Sequence, residues 1–253
     1  NMPYSIVKTA GMVAFLWRLA LTTGTGSIFG WLVARSAYNA AIMAPLFIVM
    51  SFAFGLAFFI LVVTGIYRMS SRPFGLELLK RLGRLLGIFA ALVLYFTAVQ
   101  HLSALYAAKR VGVENFILFS GGIFPLLFWL VQVLVGGVVP IILVFHPKIS
   151  KKPAATIIAS ILVIAGGLAQ LYVIVIGGQA YPLDIFPGFA ASSSFYDGQI
   201  NLYSPTLLEL FLGLGGVALA LAITLFGVKV LRILPTNLSD ANIKAVSALS
   251  ATD

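Results

Sequence analysis

Cysteine is absent from the 253 residues. That removes disulfides, thiolate catalysis, zinc–thiolate centres and cysteine-ligated iron–sulfur clusters from this chain. Charge is nearly as scarce. Charged residues make up 9% of the sequence, where a soluble domain carries about a quarter. Acids are rarest, 7 against 16 Lys and Arg, and the net charge is +9. Such an excess can signal nucleic acid, but here the basic residues sit at the ends of apolar runs, where they meet lipid headgroups. Nucleic acid is the poorer reading. The start of the chain shows no signal-peptide pattern of basic, apolar and small-residue regions. It opens on Asn1 rather than Met, and the expectation is a portion of a longer protein.

What is abundant is apolar. Apolar residues are 61% of the chain, and mean hydropathy is +1.08. They fall in runs long enough to cross hydrocarbon about 30 Å thick. No soluble fold suits that pattern. Six spans are expected, at about 9–33, 42–66, 84–107, 122–145, 154–178 and 206–231. The fold class is an all-α, polytopic transmembrane helix bundle, with longer connections only at 67–83 and 179–205.

Lys and Arg set the orientation. Arg68, Arg72, Lys80, Arg81 and Arg84 flank one connection, Lys148, Lys151 and Lys152 another, and Lys229, Arg232 and Lys244 follow the last span. The opposite side holds Arg35, Lys109 and Arg110, and 179–205 has Asp184 and Asp197 without a basic residue. Both termini and the basic loops are therefore expected to face the cytoplasm. The stretch 67–83 is either an ordinary positive loop or an amphipathic segment lying along the inner interface.

Polar side chains in hydrocarbon are costly, so each becomes a functional hypothesis. Gln100 and His101 lie roughly 24 Å along the third span from Arg84, by the rise per residue. Gln132 falls in the outer half of the fourth span, Gln170 and Tyr172 in the outer third of the fifth, and Glu209 one turn into the sixth. Four helices thus place polar groups at one depth. A quinone-headgroup pocket or an outward proton path would require that. Quinol oxidation releases two protons as two electrons leave; His accepts protons near neutral pH, Glu passes them on, and Gln or Tyr orients ring oxygens. The structural alternatives are interhelical hydrogen bonds for His101, Gln132 and Gln170 and a wet helix start for Glu209.

Arg18 lies about 15 Å beyond Lys8, near mid-depth. It either serves charge or proton movement or caps the stretch Thr22–Gly30, whose glycines are expected to interrupt the first span. The pairs at 121–122, 136–137 and 166–167 and the glycines of 213–216 read as close-packing positions. A bis-histidine haem needs two histidines at one depth. His101 is expected near the outer face and His146 beside Pro147 at the inner one, so the two cannot share a macrocycle and a b-type cytochrome is not expected.

The later part of the chain carries a resemblance. GGQAYPLDIFPG (177–188), SSSFYDG (192–198) and YSPTLLELFLGLGG (203–216) resemble the end of NrfD-type membrane subunits, the polysulfide reductase membrane-subunit family, and within it the DsrP branch of the sulfite-reduction-associated Dsr membrane complexes. GSIFGWLVARSAYNAAIMAPLFIVMSFAFG (26–55) resembles the family's helix end, outer loop and Pro-containing helix. FWLVQVLVGGVVPIIL (128–143) resembles a later helix that often carries an acid where this chain has Gln132.

The resemblance implies the later part of a fold of eight to ten helices in two four-helix bundles, with a quinone site in the first. Residues 1–36 would be the last helix of that first bundle, 37–178 the second bundle, 179–205 an outer loop, 206–232 a final helix and 233–253 a cytoplasmic tail. It implies a non-autonomous, quinone-interacting subunit of a respiratory oxidoreductase complex in a prokaryotic inner membrane. It implies no haem or metal in this chain, with electrons passing between menaquinone or a related quinone and a ferredoxin-like iron–sulfur subunit at the outer face. A cytochrome-b-type membrane subunit, a multihaem cytochrome c and a cytoplasmic iron–sulfur subunit would complete the complex. Tyr181, Asp184, Phe186, Phe195 and Tyr196 are the expected docking surface, since aromatic and acidic content suits protein contact. Arg18, Gln100, His101, Gln132, Gln170 and Glu209 are the expected quinone or proton path. A proton- or solute-conducting transporter and a structural anchor for the iron–sulfur subunit are the rival functions.

Overall fold

The computed structural model describes residues 4–183, 198–201, 203–231 and 234–241. Among them the chain is built from helices: α1 (Tyr4–Trp31), α2 (Met43–Met69), α3 (Leu76–Tyr106), the short α4 (Val111–Asn115), α5 (Ile123–Phe145), α6 (Pro153–Ala180) and α7 (Leu207–Leu231). All but α4 are long and apolar enough to cross a bilayer. The chain is a multi-pass integral membrane protein with six candidate spans.

One local expectation differs from the structure. Helix α1 runs unbroken through Thr22–Gly30. The hydroxyls of Thr22, Thr23 and Thr25 donate back to the carbonyls of Arg18, Leu19 and Leu21 at 2.9, 2.7 and 3.0 Å. This back-bonding keeps the side chains satisfied without opening the helix. Of the two readings of 67–83 the structure carries the loop, shortened: α2 continues to Met69 and α3 begins at Leu76. A short turn joins them, with Ser71 at φ 51°.

The chain forms two compact units. The first comprises Asn1–Val63 and Leu79–Asn201. Its interior combines small and polar residues (Ala57, Ala159, Ser160, Thr156, Gln170) with large apolar ones such as Leu46, Ile60, Leu86 and Phe124, and further large apolar side chains such as Leu102, Phe119 and Leu168 point outward. That is the distribution expected of a bundle solvated by lipid, where close packing of small residues holds helices together.

Helices α5 and α6 approach to backbone contact. A Cβ added to Gly136 or Gly166 would collide with the other's Cα. Their neighbours complete the crossing: Gly137 faces Leu94 of α3, and Gly167 faces Phe54 of α2. Four spans therefore meet at two adjacent glycine pairs. Helix α1 joins them through Gly26, which sits against the backbone of Met43 and Ala44.

The second unit comprises Thr64–Leu78 and Leu202–Asp253. Thr206 and Glu209 form a capping box at the start of α7. Glu209 accepts from the Thr206 N–H at 2.7 Å and its hydroxyl at 2.9 Å, and the Glu209 N–H returns to that hydroxyl at 3.4 Å. Nothing among the described residues packs within 4 Å of a Cβ added at Gly213, Gly215 or Gly216. The close-packing role expected of them has no partner within the described chain.

Gly166→Ala should lower stability by about 1–3 kcal/mol, the usual range for overpacking. Gly213→Ala should leave it unchanged. Thermal unfolding of the detergent-purified protein distinguishes the two, and equal melting points would refute the glycine crossing.

Candidate functional site

The short connection between α3 and α5 builds the site. Val113, Phe116, Ile117 and Leu118 of this connection are buried with Phe124, Phe128 and Val173. The Phe116 ring lies 5.4 Å from Phe124 and 5.7 Å from Tyr181, between centroids. Trp129 Nε1 donates to the Leu118 carbonyl at 3.1 Å. Gly122, at φ 63°, makes the turn into α5 in a conformation that favours glycine. Seating this apolar face turns the neighbouring Glu114 inward.

Glu114 is 3% exposed, and His101 Nδ1 of α3 is 2.6 Å from its Oε2. The two atoms share a proton, and either the imidazole or the carboxyl can carry it. The His101 side chain keeps 12% exposure against 4% for Glu114. His101 is thus the accessible member of the pair. Its ring stands edge-on to Phe128, 4.7 Å away at 78°.

The pair borders a small internal cavity that Gln100, Gln132, Gln170 and Thr97 also line. Gln170 Nε2 donates to Thr97 Oγ1 at 3.0 Å, whereas Gln132 Oε1 is buried without a partner among the described residues. The room in the cavity is about 20 Å³. A single water needs about 10–15 Å³, together with two or more polar partners. Water fits, and a quinone ring does not.

Backbone geometry reinforces this region. Residues Leu127–Val138 of α5 and Val173–Gly177 of α6 are wound as π-helix, a form concentrated at functional sites because it shifts the carbonyl ladder. Gln132 lies on the first stretch. Carbonyls of the second accept from Tyr38, whose hydroxyl is 2.9 Å from Ile174 O and 3.1 Å from Val175 O. Burial pushes the Tyr38 hydroxyl up to about 12, against the opposing pull of Arg35 and a Gln179 hydrogen bond. It therefore remains a neutral donor. Asn39, at φ 60°, accepts from the Arg110 guanidinium. Arg35 Nη1 donates to the carbonyls of Gln179 at 2.7 Å and Tyr181 at 3.1 Å.

Of the residues expected from sequence, Gln100, His101, Gln132 and Gln170 come together around the cavity. Arg18 does not join them. It lies on an exposed face of α1, beside Thr22, Thr25 and Ser51 in a separate surface groove. Glu209 belongs to the second unit, where it serves the cap of α7. Tyr172 stacks on Phe124 at 6.1 Å. Tyr181 packs beneath Gly112, close to where a Cβ there would be. Asp184, Phe186, Phe195 and Tyr196 lie outside the described residues. Sequence reasoning missed Glu114, Tyr38 and Thr97. The one signal for Glu114 was an acid set between Val113 and Phe116 in a chain with 7 acids.

These features define a polytopic membrane protein with an enclosed polar site beside a carboxyl–imidazole pair. Among the described residues no group of three or more His, Asp or Glu could hold a metal ion. Residues 1–182 match the family described as Polysulphide reductase, NrfD, and the chain belongs to that family. It is 29% identical over 232 residues to the Hdr-like menaquinol oxidoreductase integral membrane subunit of Archaeoglobus fulgidus, covering 89% of this chain and 57% of the relative. It is 28% identical to a putative dimethyl sulfoxide reductase membrane subunit of Halobacterium salinarum, covering 84% of this chain and 50% of that one. It is also 28% identical to a selenate reductase subunit of Mesobacillus selenatarsenatis, covering 88% and 50%. The chain thus spans about half the length of these curated relatives. No solved structure matches.

His101→Ala should cost about 1–3 kcal/mol by leaving the buried Glu114 carboxyl without its described hydrogen-bond partner. Removing both groups in His101→Leu with Glu114→Leu should cost less than that single change. A double-mutant cycle on unfolding in detergent measures it, and additive costs would show the pair to be uncoupled.

Proposed function

We propose that this chain is the membrane-embedded, quinone-linked subunit of an oxidoreductase complex, and that its α3–α6 bundle carries protons rather than the quinone ring. The observation that carries the reading is the His101–Glu114 pair, 2.6 Å apart beside a cavity with room for water. Menaquinol oxidoreductase appears in the name of one relative, and two others are named as reductase subunits. Quinol oxidation yields quinone, two protons and two electrons. The electrons would pass to an iron–sulfur partner at the outer face, and the protons need acceptors.

The carboxyl–imidazole pair is suited to that task. The accessible imidazole takes a proton and the enclosed carboxyl exchanges it at 2.6 Å. A water in the cavity would give Gln132 Oε1 its missing donor and extend the hydrogen-bonded chain toward Gln170 and Thr97. The small volume favours a proton path over a headgroup pocket here. The 177–216 motifs favour the DsrP branch and hence sulfite-linked metabolism, in a prokaryotic inner membrane with both termini cytoplasmic. On that branch the complex would include a cytochrome-b-type subunit, a multihaem cytochrome c and a cytoplasmic iron–sulfur subunit.

In the intact complex, Glu114→Gln and His101→Ala should each slow menaquinol-dependent reduction of the iron–sulfur partner by roughly a hundredfold, the scale of general acid–base contributions. Assembly should be retained in Glu114→Gln, and Glu209→Gln should be silent. Wild-type rates in both pair variants would overturn the proton-path reading.

A further inference from the structure

The second unit holds a site that the quinone-linked reading does not use. Four hydrogen bonds fold residues 235–240 against the end of α2 and the start of α3. Tyr67 donates its hydroxyl to the Pro235 carbonyl at 2.7 Å. Gly75 N donates to Leu238 O at 2.8 Å, Leu238 N to Pro73 O at 3.2 Å, and Glu77 N to the Asp240 carboxylate at 3.1 Å. The segment is therefore fixed. With the end of α7 it borders a groove of about 560 Å³.

The groove has two chemistries. Ile66, Leu225 and Val228 supply an apolar wall from the ends of two spans, and Arg72, Lys229 and Thr236 supply a polar rim. Arg72 lies three residues beyond α2, and Lys229 is in the last turn of α7. No acid pairs with either cation among the described residues. Two cations at the ends of spans, with no acidic partner among the described residues, suit an anion at headgroup level. The adjoining wall, continuous with the spans, requires a hydrocarbon chain.

We infer that this groove binds an anionic phospholipid. Its phosphate bonds the fork of Arg72 and the ammonium of Lys229, and an acyl chain lies along Ile66, Leu225 and Val228. A zwitterionic lipid offers the same phosphate but brings its own cation to the rim, so the site discriminates by net charge. Charge and apolar area together form the two signals that give durable lipid retention.

The test uses the purified full chain in detergent, incubated with phosphatidylglycerol or phosphatidylcholine and read by native mass spectrometry. Phosphatidylglycerol should be retained preferentially. Arg72→Gln with Lys229→Gln should lower its retention about 25-fold, from roughly fivefold per surface cation. Lys152→Gln, on the α5–α6 connection, should change nothing. Val228→Trp should lower retention with both cations in place, which keeps the test valid if the double variant misfolds. Equal retention of the two lipids, an equal loss in Lys152→Gln, or full displacement by inorganic phosphate would each overturn the inference. The last would indicate an ion site without a lipid chain.

Discussion

Hydrocarbon offers no hydrogen bonds, so every polar group in this bundle must find its partner inside the protein. Most of the architecture around the cavity answers that demand. Threonines of α1 bond back to their own helix. Tyr38 caps carbonyls in the π-wound stretch of α6, and Arg35 caps those at its end. The most demanding group is Glu114, because an enclosed carboxyl carries the largest desolvation cost. His101 is its described hydrogen-bond partner.

The same demand shapes the helices. An α-helix consumes its own carbonyls, whereas a π-wound segment shifts the ladder and leaves some for side chains. Two such segments, on α5 and α6, flank one cavity. At the level of Gly136 and Gly166 these helices are in backbone contact. The bundle is thus closed at the glycine crossing and polar beside the α3–α5 connection. That arrangement has room for water-sized occupants, which is the observation behind the proposed proton path.

Much of this was legible in the sequence, for physical reasons. Long apolar runs and flanking cations reveal spans because the bilayer imposes a length. Gln100, His101, Gln132 and Gln170 could be placed at one depth because rise per residue converts position into height. Depth alone does not give azimuth, which is why Arg18 and Glu209 entered the same group: the first faces a groove on α1 and the second closes a cap. Glu114 was hidden because the connection that carries it reads as a turn. Its burial follows from tertiary seating of Val113, Phe116 and Ile117. The persistence of α1 through its glycines was likewise unreadable, since lipid removes the water that would compete for the freed backbone.

The central claim is that Glu114 and His101 exchange a proton when the complex turns over. Infrared difference spectroscopy of the intact complex, recorded on addition of menaquinol, reads carboxyl protonation directly. A redox-linked carboxyl band should appear in the wild type, vanish in Glu114→Gln and persist in Glu209→Gln. A band unchanged in Glu114→Gln would contradict the account and leave the pair a structural hydrogen bond within the bundle.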